Sequence, residues 1–115
     1  MTHLSARFRT VVLENAHVRI ELLPDLGGKI QSMVEKVTGK EALFAEPVVR
    51  PARILPRMAF ISGGVEVSFP ISHTPSQIET VHLETLEDAG TGRCYVYCGE
   101  TELRFGMQVS WSAQF

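Results

Sequence analysis

In the segment ELRFGMQVSW, residues 102–111, every odd position is apolar (Leu103, Phe105, Met107, Val109, Trp111) and every even one is polar, charged or glycine. A period of two sends alternate side chains to opposite faces of an extended chain. Such a segment is stable only as a strand with one buried and one wet face. The pattern recurs in HVRIELL, where Val18, Ile20 and Leu22 oppose His17, Arg19 and Glu21. RTVVLE, KIQSMVEK, VEVSFP, TVHLETLE and RCYVYC read as further strands, and ENAH, PDLGG, VTGK and DAGTG punctuate them as turns. Helix signals are weak. GKEALFAE allows a turn or two before Pro47, Pro51 and Pro56 forbid more. The proline-rich run EPVVRPARILP reads as an extended crossing segment that presents Arg50 and Arg53, with Arg57 directly after it. The expectation is an all-β fold, an antiparallel β-sandwich formed by one domain over residues 1–115, with residues 1–8 disordered.

Composition supports a single core: 44% of the 115 residues are hydrophobic and 21% charged. A net charge of −2 with no basic run leaves no electrostatic footprint for nucleic acid or an anionic membrane. MTHLSARFRT lacks the apolar stretch of a secretory signal, and no apolar run reaches membrane-spanning length, so a cytoplasmic location is expected. Cys94 and Cys98, on one strand face, would lie roughly 13 Å apart at about 3.3 Å per residue. A disulfide requires Cα atoms within roughly 7 Å, so buried free thiols are expected. Four scattered histidines offer no metal cluster. No G-x-S-x-G, H-E-x-x-H or P-loop pattern occurs, and neither a metal nor a cofactor is expected.

The chemistry-bearing residues gather in FISGGVEVSFPISHTP. Gly63 and Gly64 permit a left-handed backbone, which serves a bulge or tight lead-in to a strand as well as a ligand contact. Glu66 alternates with Val65, Val67 and Phe69 and so faces solvent or a cleft. His73 follows Pro70 in a loop, where an imidazole can act as acid or base or simply be surface. Arg53 and Arg57 suit planar, multi-donor contacts to hydroxyls or to a carboxylate such as Glu66. Trp111 shares its phase with the apolar positions of its strand and is assigned to the core.

Two stretches carry a family resemblance. LENAHVRIELLPDLGGKIQSMVEKVTGKEALF resembles the opening of galactose-mutarotase-like β-sandwich domains. FISGGVEVSFPISHTP followed by CGETELRFGMQVSW resembles the DUF5107 domain, a mutarotase-like module found ahead of tetratricopeptide repeats in larger bacterial proteins. The resemblance runs from about Leu13 to Trp111, and it implies part of a supersandwich, because domains of that superfamily are much longer. Its aldose epimerases use a histidine acid and a glutamate base, assisted by an arginine, and their glutamate lies in the later part of the sandwich. The implied function is a carbohydrate-binding module, non-catalytic alone, with Arg53, Arg57, Glu66 and His73 as ligand residues. Two alternatives stand beside it: an assembly module without a small-molecule ligand, and an aldose-epimerase-type enzyme assembled across a dimer. SWSAQF closes the chain without a turn or polar tail, so homo-oligomerisation through the C-terminal strand, around Phe105 to Trp111, is also expected.

Overall fold

The structure is a computed structural model, and it describes residues 7–44, 62–67, 79–101 and 108–114. Two antiparallel sheets make up almost all of its regular structure. The first has the order β1 (Val11–Glu14), β2 (Val18–Leu23), β3 (Lys29–Glu35), β4 (Lys40–Glu41). The second has the order β5 (His82–Asp88), β6 (Arg93–Thr101), β7 (Gln108–Gln114). Among the described strands, every neighbour in space within a sheet is a neighbour in sequence.

The turns follow from their residues. Asn15 accepts hydrogen bonds from the His17 and Val18 amides through Oδ1, both at 2.8 Å, and so closes the β1–β2 hairpin. Pro24–Leu26 forms one 3-10 turn, after which Gly28 donates to the Leu23 carbonyl at 3.0 Å. Asp88 organises the β5–β6 turn by accepting from the Gly90 amide and the Thr91 hydroxyl, each at 2.9 Å. These bonds hold the Asp88 carboxyl below the usual range, the Thr91 hydroxyl contributing most.

Alternation then decides which faces meet. Leu13, Ile20 and Leu22 of the first sheet share a core with Val96 and Cys98 of the second and with Val81. Val11, Val18, Ile30, Met33, Leu83 and Cys94 pack against this cluster. Full burial of a side chain such as Ile20, Leu22 or Val96 contributes about 1.5–3 kcal/mol. The sheets are also tied at one end, where Gly27 donates to Glu79 O at 2.8 Å and Val81 donates to Pro24 O at 2.9 Å.

The register of β2 on β3 slips once: Glu21 faces Ser32, but Leu22 faces Ile30. Gln31 is therefore the extra residue of a β-bulge. The bulge lets Ile30 and Met33, three positions apart, both pack on the core.

Two local expectations fail. Residues 39–44 form no helical turn; Lys40–Glu41 instead pairs with β3 at Glu35 and Val34, because Gly39 turns the chain back by donating to Glu35 O at 2.8 Å. VEVSFP does not form a ladder over its described part: Val65 makes an isolated bridge to Ile30, and residues 66–67 take no strand conformation. The physical reason is the shared edge of β3, whose second half is already taken by β4. Residues 1–6, the proline-rich run 46–56 and residues 102–107 lie outside the described residues. The backbone register of β7 sets Trp111 opposite Cys98.

Cys94 is half-buried, Cys98 is buried, and both are free thiols. Burial pushes the Cys98 thiol up to about 11. A raised value means that the stability tied to the neutral thiol is intact below the unfolded range of about 8.5 and is lost as pH rises toward the folded value. In the native protein a disulfide reagent at pH 8 should modify Cys94 well before Cys98, and both should react in denaturant. Equal native rates would mean that the inner face of β6 is open to solvent.

Candidate functional site

Of the expected ligand residues, Glu66 lies in the described part of the structure, whereas Arg53, Arg57 and His73 lie outside it. The segment that carries Glu66 is anchored by its two glycines. Gly63 and Gly64 have φ of 80° and 70°. A Cβ on Gly63 would sit 2.4 Å from the Phe44 carbonyl oxygen, and one on Gly64 would sit 2.3 Å from the Ile30 carbonyl oxygen. Only glycine fits, on both conformational and steric grounds. The close approach allows Gly64 to donate to Phe44 O at 3.2 Å, and Val65 and Ile30 to exchange backbone bonds of 2.8 and 3.0 Å.

This clamp places Glu66 beside Lys29, with 4.0 Å between Glu66 Oε2 and Lys29 Nζ. Val65 pairs with core-facing Ile30, so Glu66 and Lys29 fall on the other face of the sheet. Lys29 is only 5% exposed, and the Gly64 position lies over its aliphatic stem. Burial pushes the Lys29 ammonium below its ordinary range, and the negative charge of Glu66 partly restores it. Sequence reasoning did not single out Lys29. The available signal was its place in GGKI, directly before an apolar strand residue, which puts it opposite Ile30 in phase.

The same face carries further donors and acceptors. Glu21 accepts from Arg19 and, at 3.2 Å, from Gln31 Nε2. Glu41 accepts from the Ser32 hydroxyl and from the Met33 amide at 2.7 Å, and these bonds hold its carboxyl below the usual range. On the outer face of the first sheet, Arg19, Glu21, Gln31, Ser32 and Glu41 thus form a polar group whose donors and acceptors are held by neighbouring strands.

A separate open groove of about 630 Å³ runs between Arg9–Val11 and Thr80–Leu83 beside Pro24. Its cation is already committed: Arg9 forms a two-pronged pair with Asp25 at 2.6 and 2.9 Å, and its amide donates to the same carboxylate at 3.0 Å. Arg9 hydrogen bonds hold the Asp25 carboxyl low. This pair locks the N-terminal segment to the 3-10 turn. Among the described residues, no three His, Cys, Asp or Glu side chains converge as metal ligands, and no helix is long and apolar enough to cross a membrane.

The family model described as "Domain of unknown function (DUF5107)" matches residues 2–115. The chain belongs to the DUF5107 family. This DUF5107 domain is also similar to a crystal structure of a TPR-domain containing protein from Parabacteroides distasonis, with 44% identity and a TM-score of 0.80. The alignment covers 94% of the DUF5107 chain and 19% of the Parabacteroides chain. The domain therefore spans about a fifth of the length of that relative.

Proposed function

We propose that this DUF5107 domain is a carbohydrate-binding module of galactose-mutarotase-like architecture that works as one part of a larger protein and is not catalytic alone. The observation that carries the reading is the delivery of Glu66 by Gly63–Gly64 to the polar face where Lys29 is buried. Sugar hydroxyls both donate and accept. A site for them needs a carboxylate, a cation and amide or hydroxyl groups held in place, and Glu66, Lys29, Gln31 and Ser32 are of those types. Arg53, Arg57 and His73 are proposed to complete the site, as residues of the same contiguous stretch of sequence.

Titration calorimetry against a panel of hexoses and uronic acids tests the proposal. Saturable binding is expected, and Glu66→Gln, which keeps the shape and removes the charge, should weaken it by about 1–3 kcal/mol. Absence of saturable binding would favour an assembly module instead. That second reading draws support from the place of β7 at the end of its sheet order and from the fivefold greater length of the Parabacteroides relative. A stable dimer by light scattering at micromolar concentration, with no sugar binding, would establish it over the first.

A further inference from the structure

The outward face of the second sheet carries a feature that the Lys29–Glu66 site does not use. Because Cys94, Val96 and Cys98 of β6 turn toward the core, Tyr95 and Tyr97 between them turn outward. Their rings stack, with centroids 6.2 Å apart and planes inclined by 14°. In register, Leu86 and Gln114 flank Tyr95, while Glu84 and Ser112 flank Tyr97. The surface is open: Tyr97 is 44% exposed and Leu86 57%. The Glu84 carboxylate, held by His82 at 2.9 Å, is 70% exposed, and Ser112 and Gln114 are exposed on the other side.

We propose that this face is a second saccharide-binding surface, suited to a chain of neutral pyranoses. A pyranose ring presents an apolar C–H face bounded by hydroxyls. The tyrosine pair and Leu86 offer the apolar contact, and Glu84, Ser112 and Gln114 bracket it with acceptors and donors. The charged groups of this face are matched in pairs, Arg93 opposite Asp88 in register and His82 beside Glu84, which suits a neutral ligand better than a polyanion. The surface lies on the sheet that does not carry Lys29, so the proposal stands independently of the first site.

Native gels cast with hydroxyethylcellulose, arabinoxylan or galactomannan provide the test. At least one polymer should retard the wild-type chain. Tyr97→Ala should weaken that interaction by about ten-fold or more, whereas Tyr97→Phe should leave it intact. Thermal melting of Tyr97→Ala should match the wild type, since the ring is outside the core. Three results would overturn the proposal: no retardation of the wild type by any polymer, equal retardation of Tyr97→Ala, or conversion of a wild-type oligomer to monomer by Tyr97→Ala. The last would assign the face to a second copy of the chain.

Discussion

Gly64→Ala should unfold the domain at much lower denaturant than the wild type, with a loss of about 3 kcal/mol and a fall in Tm of roughly 10 °C. Two effects combine. The backbone has φ of 70° there, a conformation that costs an L-residue about 1–2 kcal/mol. The added Cβ would also lie 2.3 Å from the Ile30 carbonyl oxygen, which is backbone and cannot swing aside. Gly39→Ala is the matched control, because Gly39 has φ of 71° with nothing within 4 Å of the added atom. It should lose only about 1 kcal/mol. If urea titrations give the two variants equal losses, the segment does not clamp onto β3, and the placement of Glu66 beside Lys29 fails with it.

The second large effect is expected in the core. Ile20 is 1% exposed and sits between Leu13 on β1 and Met33 on β3. Ile20→Ala removes buried methyl groups and leaves a cavity that the flanking strands cannot fully close, for a cost of about 2–5 kcal/mol. Val12→Ala, one face away on the neighbouring strand at 41% exposure, should change stability by less than about 0.5 kcal/mol. Because Ile20 and Cys98 belong to the same cluster, the Ile20 variant should also speed the native-state labelling of Cys98. A loss below about 1 kcal/mol, without faster labelling, would mean that the sheets do not share one core.

Much of this architecture is legible in the alternation. Val18, Ile20 and Leu22 take the core face as their spacing requires, and so do Cys94, Val96 and Cys98, because period-two patterns are enforced by burial. The PDLGG and DAGTG turns are equally readable from their φ and side-chain chemistry. The bulge at Gln31 is not, since an extra residue depends on the partner strand and leaves no local mark. Residues 65–67, the described part of VEVSFP, depart from expectation for a related reason: the edge they would pair with is divided between Lys40–Glu41 and Val65. Glu66 was legible as a polar residue near a kink, whereas its partner Lys29 was not, because strand alternation cannot tell which residue from a distant segment will lie alongside. Tyr95 and Tyr97 counted only as strand formers in sequence, and their value as a surface emerges once their neighbours across β5 and β7 are known.

The sequential order of strands within each sheet has a consequence for how the molecule comes together. Among the described strands, every ladder joins segments that follow one another along the chain, so each sheet can zip up by short loop closures, which are fast. The sheets meet through the shared core and through backbone bonds between residues distant in sequence, Gly27 to Glu79 and Val81 to Pro24. Assembly thus divides into two quick local events and a slower docking. The amide hydrogens of Gly27 and Val81, whose bonds form only on docking, are the natural reporters of that final step.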